Sequence, residues 1–200
     1  LGDWFIFLDS DCVLPENYLS VLAQQWSKSD LDAFGGPDAG HPDFTPLQRA
    51  ISITMTSFLT TGGIRGGGEK MDKFHPRSFN MGFSRTVFEQ TGGFSNLRFG
   101  EDIDMSVRIL KAGFKTGLIK AAWVYHKRRT DLRKFFKQVY NSGIARINLQ
   151  KRHPGTLKMV HALPALFVLG IPICLFAGVL IHPLFLWLPL FPAIGLLIEG

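Results

Sequence analysis

The chain has 200 residues, a formal charge of +6 and two cysteines, Cys12 and Cys174, that form no C-x-x-C pair. This length allows one domain with a sizeable core. Two distant cysteines argue against a disulfide framework or a zinc site and fit a reducing compartment. Residues 126–158 carry ten Lys and Arg against the single acid Asp131, whereas the other residues carry 12 basic and 15 acidic side chains. The positive charge is therefore confined to one segment, and we predict no nucleic-acid partner.

Strands and helices alternate along the first two thirds of the chain, which favours an α/β layer architecture. The stretches predicted as strands are residues 4–8, 33–37, 79–83, 115–119 and 122–125. The stretches predicted as helices are residues 15–27, 45–61, 85–91 and 102–112. Prolines near the first turn support the first two helices, and glycines end the other two. Five glycines within residues 62–70 predict a mobile loop that closes over the acceptor or the donor of a reaction.

Two acidic residues, Asp9 and Asp11, directly follow the first predicted strand. Neighbouring carboxylates repel each other, so the pair costs stability unless a cation lies nearby. In open α/β sheets, ligands bind at the carboxyl ends of the strands. Oxygen ligands at such a position suit Mg²⁺ or Mn²⁺, which bridges to substrate phosphates. The alternative interpretation is an ordinary acidic turn.

A second acidic group, Glu101, Asp102 and Asp104, lies at the start of the helix predicted over 102–112. The helix macrodipole favours acids at this position, which explains at least one of the three. Three acids exceed that need, so a carboxylate here is a candidate general base for a hydroxyl nucleophile. His126 follows the last predicted strand and precedes three basic residues. It is either a hydrogen-bonded surface group or a ligand.

Residues 131–150 form a separate basic and amphipathic segment, because apolar residues recur there at helical spacing. The basic side chains that lie off the apolar stripe are Arg133, Lys134, Lys137 and Arg146. A basic amphipathic helix next to an apolar run is typical of a helix that lies in a membrane interface. An ordinary surface helix packed on the domain is the alternative.

Residues 159–198 form a run of 40 residues without Asp, Glu, Lys or Arg. One membrane helix takes about 20 apolar residues, so the run predicts two helices with a break at His182-Pro183. Its prolines are tolerated better in membrane helices than in soluble ones. A buried hairpin is the alternative. The basic patch before the run predicts that this side lies in the cytoplasm. With two passes, we expect a multi-pass protein of the cell inner membrane.

Five short motifs follow one another in a defined order. They are Asp9-Ser10-Asp11 after a strand, Gly35-Gly36-Pro37, FNMGFSRTVFEQTGGF at 79–94, GEDIDMSVRILKAGFKTG at 100–117, and VYH at 124–126. In this order they resemble a family 2 glycosyltransferase of the GT-A fold, and the resemblance covers roughly residues 3–150. It implies an α/β class with a partial, Rossmann-like GT-A sheet and flanking helices. The implied parts are the C-terminal part of the GT-A catalytic domain (1–130), a basic amphipathic interfacial helix and linker (131–157), and about two transmembrane helices (158–200).

The resemblance implies a metal site and a catalytic base. The aspartates of the family's D-x-D motif bind a divalent metal and the sugar nucleotide, and Asp9 and Asp11 match them, with Asp11 as the direct ligand. The family's E-D pair matches Glu101 and Asp102, and its aspartate is the catalytic base. The histidine after the last strand matches His126, as a metal or diphosphate contact. The implied cofactor is Mg²⁺ or Mn²⁺.

Further donor contacts follow from the same resemblance. Gly36 of the G-G-P motif is one of them. Gln138 and Arg146 match the family's Q-x-x-R-W motif only loosely, because the spacing departs and no Trp follows. The implied partners are a nucleotide-sugar donor, a polyprenyl-linked or saccharide acceptor, and membrane lipid.

The implied reaction is a direct displacement that inverts the sugar, in the synthesis of a cell-surface polysaccharide or glycolipid. Two other functions could use the same acids. One is a metal-dependent phosphohydrolase with a water nucleophile, and the other is a non-catalytic membrane module that binds sugar. The chain begins two residues before the first predicted strand and without Met. We therefore expect a fragment that lacks the family's N-terminal nucleotide-binding half and is inactive in isolation.

Overall fold

The computed structural model describes residues 2–57 and 74–199, so the glycine-rich segment 62–70 lies outside the described residues. Strands and helices alternate in the first 130 residues, as predicted. The strands are β1 (Trp4–Leu8), β2 (Cys12–Val13), β3 (Ala33–Gly35), β4 (Asp38–Ala39), β5 (Asn80–Ser84), β6 (Thr116–Leu118) and β7 (Val124–His126). The helices are α1 (Tyr18–Trp26), α2 (Pro46–Thr56), α3 (Arg85–Thr91), α4 (Glu101–Lys111), α5 (Leu132–Arg152), α6 (Leu163–Leu180) and α7 (Leu190–Glu199).

Among the described residues, two of the predicted helices have narrower bounds than expected, and residues 58–61 of the helix predicted over 45–61 lie outside the described residues. α2 begins behind a capping box of Thr45 and Gln48, but it ends at Thr56 because Ser57 is extended, with ψ 139°. β-branched residues have limited side-chain freedom in helices, and the Thr56 hydroxyl bonds back to a carbonyl of the preceding turn, which weakens the helix end. α1 begins at Tyr18, since a turn precedes it in which Tyr18 N donates to Pro15 O.

A four-stranded sheet with the order β1–β5–β3–β6 forms the centre of the domain. β5 is antiparallel to both of its neighbours, whereas β3 and β6 are parallel. Side chains of β5 alternate between the two faces. Met81 and Phe83 are fully buried on one face. On the other face Gly82 leaves room for the ring of Phe34, which a Cβ would meet.

Helices cover both faces of this sheet. The buried cluster on the α1 side consists of Tyr18, Leu22, Phe34, Ile119, Ala122 and Val124. The buried cluster on the side of α3 and α4 consists of Ala33, Met81, Phe83, Val87, Met105 and Ile109. A sheet that is buried on both faces is typical of an α/β domain.

A second sheet, with the order β2–β7–β4, was not predicted from the sequence. β2 and β4 have two residues each, too few to give a periodic signal. In this sheet Cys12 lies directly opposite His126, and Asp38 is in register with Val124. Segments that are distant in the sequence therefore meet at one edge of the domain.

The C-terminal part contains the predicted amphipathic helix and an apolar segment. α5 starts behind Asp131, whose side chain caps it. Met159–Leu180 is long and apolar enough to cross a membrane, and almost none of it is buried. The predicted break at His182-Pro183 is present, but α7 has ten residues, fewer than a span needs. The described residues therefore contain one candidate span where the sequence predicted two.

Candidate active site

The turn after β1 brings two carboxylates to the end of β7. Cys12 N donates to Asp9 O at 3.0 Å, which closes the turn and allows β2 to pair with β7. His126 Nε2 lies 3.7 Å from Asp9 Oδ2 and 3.4 Å from Asp11 Oδ1. Burial raises the pKa of Asp9, His126 opposes this shift, and the charge of Asp11 adds to it. A cation at this position would relieve the repulsion between the carboxylates.

A third carboxylate, Asp38, supports His126 from the other side. His126 Nδ1 is 3.7 Å from Asp38 Oδ2, and Arg128 Nη1 is 2.5 Å from the same oxygen. Burial alone would raise the pKa of Asp38, but the nearby imidazole and guanidinium hold it well below its usual range. Gln48 in turn donates to the carbonyl of Arg128 at 3.0 Å. Sequence reasoning missed Asp38 and Arg128, although an acid two residues after Gly36 was an available signal.

The groups around His126 fit a hard divalent cation. Asp11, Cys12 and His126 each present a ligand atom, and these atoms lie within 4.8 Å of one another. Carboxylate oxygens suit both Mg²⁺ and Mn²⁺, and Mn²⁺ also accepts imidazole. Burial raises the pKa of the Cys12 thiol to about 11, and its Sγ donates to Phe79 O. Since a thiol binds metal as thiolate, the carboxylates and the imidazole are the better ligands here.

Asp102 lies in the first turn of α4 and is 6% exposed. Gly100 precedes it with φ 82°, in the left-handed region that favours glycine. Arg77 Nε donates to Asp102 Oδ2 at 2.5 Å. Burial alone would raise the pKa of Asp102, but the charge and hydrogen bond of Arg77 hold it below its usual value. Asp102 is therefore a buried carboxylate that is ionised at neutral pH.

The two acidic groups of the sequence share one environment, which we call the acidic pocket: Asp9, Asp11, Glu101, Asp102 and His126. Asp102 is close enough to Asp9 to raise its pKa. Burial raises the pKa of Glu101, and the charges of Asp102 and Asp9 add to this shift. The guanidinium of Arg77 opposes the shift in both acids. Sequence reasoning missed Arg77, which lies just before β5 and outside any acidic motif.

Comparison with known proteins shows the family. The model of the glycosyltransferase-like family 2 matches residues 2–140. The chain belongs to this family. The O-antigen chain rhamnosyltransferase WbaN of Salmonella anatum is 28% identical over 149 residues, which are 72% of this chain and 47% of the relative. The O-antigen chain rhamnosyltransferase RfbN of Salmonella typhimurium strain LT2 is 27% identical over 149 residues, again 72% of this chain and 47% of the relative. The chain spans about half the length of the curated relatives it matches.

The family match confirms the resemblance that the order of the motifs indicated. Its range includes Asp9, Asp11, Asp102 and His126, whereas Arg146 lies beyond its end. The mixed α/β structure fits a GT-A-like domain. The roles of individual residues in this family 2 domain remain predictions.

Gln138 and Arg146, which loosely match one family motif, lie in different surroundings. Gln138 Oε1 accepts from Arg129 Nε at 3.3 Å on the exposed surface. Arg146 lies about two turns further along α5, within electrostatic reach of Arg77 and Asp102. Arg146 is thus at the acidic pocket of the family 2 domain, and no contact among the described residues brings Gln138 there.

Asp104, the third acid of the helix start, does not belong to the acidic pocket. Its side chain is fully buried, and Oδ2 accepts from Arg108 Nε at 2.9 Å. Oδ1 lies 2.8 Å from His153 Nε2 and 3.3 Å from Arg152 Nη1. Residues two apart on a helix differ by about 200° in direction. Asp104 therefore joins α4 of the family 2 domain to the end of α5.

Gly36 has a packing role in the structure. A Cβ at this position would clash with Ala122 O and with the side chain of Asn80. Asn80 Nδ2 donates to Ala122 O at 2.7 Å, and its Oδ1 accepts from the Tyr18 hydroxyl at 2.6 Å. This buried network holds the start of β5 against the segment before β7. The predicted donor contact of Gly36 remains a prediction.

Proposed function

We propose that the protein is an inverting glycosyltransferase that moves a sugar from a nucleotide-sugar donor to an acceptor hydroxyl. Membership of the family supports the reaction class. Both relatives are named as rhamnosyltransferases of an O-antigen chain, which supports a place in the synthesis of a cell-surface polysaccharide or glycolipid. The observation that carries the proposal is the acidic pocket. In it, the candidate metal ligands around His126 lie near the buried and ionised Asp102.

In this proposal Asp11, Asp9 and His126 hold Mg²⁺ or Mn²⁺. A bound divalent ion supplies positive charge for the diphosphate of the leaving group. Asp38 contributes to the site through its charge, since its carboxylate lies 3.7 Å from Nδ1 of His126. Gly36 is a proposed donor contact.

Asp102 is the proposed general base. It accepts the proton of the acceptor hydroxyl, and Glu101 lies beside it as an auxiliary acid. The acceptor oxygen forms a bond to the anomeric carbon while the bond from that carbon to the diphosphate oxygen breaks. The electron pair leaves with the nucleoside diphosphate. One base and one displacement invert the anomeric centre.

A segment outside residues 1–200 is proposed to hold the nucleoside. Among the described residues, the second edge of β1 has no partner strand, and Ile6 and Leu8 are 40% and 37% exposed. An open edge with exposed apolar residues favours pairing with a further strand. Since the relatives are about twice as long as the aligned region, a further segment can complete the sheet. Residues 1–200 alone are expected to be inactive.

The protein is further proposed to work at the cytoplasmic face of the cell inner membrane. One candidate span is present. Before it, α5 exposes Leu132, Phe136 and Tyr140 at 64%, 71% and 61%, beside basic side chains. An amphipathic helix of this kind lies in the interface and binds acyl chains with its apolar face. The multi-pass arrangement, with a second span after His182-Pro183, is part of this proposal.

Membrane placement can be measured directly. Extraction of membranes with alkaline carbonate should leave the intact protein in the pellet, because the apolar span cannot dissolve in water. Protease added to intact spheroplasts should leave α4 and α5 uncut. After lysis of the spheroplasts, the protease should cut both helices. Cleavage before lysis would place the catalytic part on the periplasmic side and contradict the proposal.

The proposed reaction predicts both a product and a metal requirement. The intact protein, given nucleotide sugars, a lipid-linked saccharide and Mg²⁺ or Mn²⁺, should form a glycoside with inverted anomeric configuration, measured by NMR. EDTA should stop the transfer, and either ion should restore it, because the carboxylates at His126 otherwise repel each other. Free sugar or phosphate without a glycoside would instead support a phosphohydrolase. Donor binding that needs metal but yields no product would support a non-catalytic module.

A further inference from the structure

Arg77 pairs with Asp102 and lies within electrostatic reach of Asp9 and Glu101, and no motif assigns it a role. Its backbone is held in place because Asn80 N donates to Arg77 O at 3.1 Å. Its Nε bonds Asp102 Oδ2, while 29% of the side chain remains exposed. The guanidinium therefore has one anchored nitrogen and further donors that can reach a ligand.

Arg146 approaches the same carboxylate from α5. Ala145 and Leu149 lie 3.1 Å and 3.2 Å from the position that a Cβ of Gly100 would occupy, so this part of α5 packs against the start of α4. Arg146 is half-buried, and among the described residues it makes no hydrogen bond or ion pair. Its pKa is lowered by burial and by Arg77, and only Asp102 opposes this shift. Such a guanidinium is costly without an anion beside it.

His161 borders this region on the side of the apolar segment. It lies within electrostatic reach of Arg146, in the turn that begins the apolar segment. Within the described part of the chain, its buried Nε2 has no hydrogen-bond partner. A phosphate oxygen between Arg146 and His161 would supply that partner.

We propose that Arg77 and Arg146 form a phosphate-binding pair, and that Arg77 moves from Asp102 to the incoming phosphate. This inference rests on the proposed function and names the ligand chemistry of the same site. Guanidinium groups bind phosphate oxygens through paired hydrogen bonds, and two of them match a doubly charged group. The exchange removes from Asp102 the partner that weakens it as a base. The carboxylate thus becomes a stronger proton acceptor when the phosphate is present.

The phosphate can come from two sources. One is the diphosphate of the nucleotide-sugar donor, which would enter the pocket from the side of Asp9. The other is the phosphate of a polyprenyl-linked acceptor, which would enter the pocket from the side of His161. Both present the same oxygen atoms to the pair, so binding measurements have to separate them.

The first measurement uses pyrophosphate as the probe. The intact protein in detergent is titrated with pyrophosphate in the presence of Mg²⁺, and the dissociation constant is compared between variants. Arg77→Gln and Arg146→Gln should each weaken binding by about tenfold or more, as expected for one charge-assisted contact. Arg77→Lys and Arg146→Lys should recover part of the loss. The exposed Arg98, whose guanidinium lies 5.4 Å from the centre of the Phe99 ring, provides Arg98→Gln as the matched control with unchanged binding.

The second measurement tests the lipid source. Nanodiscs that contain polyprenyl phosphate are compared with nanodiscs that contain the corresponding polyprenol. If the phosphate belongs to the donor, Arg146→Gln should weaken the binding of pyrophosphate alone. An acceptor site predicts that Arg146→Gln weakens binding to polyprenyl phosphate and leaves the polyprenol unaffected. Wild-type affinity of both glutamine variants for both probes would overturn the inference.

A pH profile distinguishes the ion-pair exchange from a purely structural role of Arg77. Among the described residues, the charged or polar groups that face Asp102 are Arg77, Ser78 N, Ile103 N, Arg146, Asp9 and Glu101. In Arg77→Gln, burial and the neighbouring acids should raise the pKa of Asp102, so the acidic limb of kcat/KM should move to higher pH. If the acidic limb of kcat/KM stays at the wild-type pH in Arg77→Gln, the pairing of Arg77 with the base is contradicted.

The inference and the proposed function fail in different ways. If Asp102→Asn abolishes transfer while both glutamine variants bind like the wild type, the inference is wrong and the proposed function stands. If Asp102→Asn keeps wild-type transfer, the assignment of the base is wrong, whatever the arginine variants show. Thermal melting of each variant shows whether a loss of binding arises from loss of the fold.

Discussion

The Asp102→Asn variant of the intact protein is expected to lose about a thousandfold in transfer rate, within the usual range for loss of a general base. Asparagine keeps the shape of the side chain and can still accept the hydrogen bond of Arg77, which lies 2.5 Å away in the wild type. It cannot take the proton of the acceptor hydroxyl. Donor affinity should not fall, because the metal ligands around His126 are unchanged and the neutral asparagine holds Arg77 less strongly than the carboxylate does. Single-turnover transfer and donor titration measure the two effects separately.

Glu101→Gln is the matched control for this prediction. Glu101 lies in the same turn of α4, and burial raises its pKa, so it is the competing candidate for the base. Its loss should reduce transfer much less than the loss of Asp102. A near wild-type rate in Asp102→Asn, or a larger loss in Glu101→Gln, would move the role of base away from Asp102.

Asp104→Ala is expected to destabilise the protein strongly without a direct effect on chemistry. Asp104 is fully buried and pairs with Arg108, His153 and Arg152. Removing one member of a buried ion pair costs about 3–5 kcal/mol, because the remaining charges stay without a partner. For a chain of this size, thermal melting should fall by roughly 10 °C. In the wild type, Asp104 has a lowered pKa, so its contribution is full at neutral pH and is lost as the pH falls below about 4.

Asp30→Ala is the control for Asp104→Ala. Asp30 also pairs with a cation, Lys115, but its side chain is 91% exposed. Exposed pairs of this kind contribute little, since water and salt screen them. Thermal melting of Asp30→Ala should match the wild type. Equal melting temperatures for the two variants would show that the junction of α4 and α5 does not depend on Asp104.

The fold could be predicted from the sequence where elements are long or well bounded. β1, α3 and α5 agree closely with the expected ranges, because an apolar run, a Gly-Gly stop and a helical apolar period each give a local signal. β2 and β4 gave no such signal. They exist because β7 offers both of its edges for pairing, which is a property of the assembled sheet.

The candidate site likewise contains residues that the sequence predicted and residues that it did not. The acids and His126 were predicted because each lies at the end of a strand or the start of a helix, where the sequence places polar residues after apolar ones. Asp38, Arg128 and Arg77 were missed because their importance comes from their partners. Each lies within 2.5 Å of its partner, and nothing in their local sequence distinguishes them from ordinary surface charges.

The amino-acid sequence alone determined the class of the domain, the order of its motifs and the position of its apolar segment. These features depend on local composition and on short-range periodicity. The tertiary structure decided how two of the clustered acids are used: α4 turns Asp102 toward Arg77, and it turns Asp104 toward Arg108 and His153. The reason is geometric, because residues two apart on a helix point in nearly opposite directions, and only packing determines what each side meets.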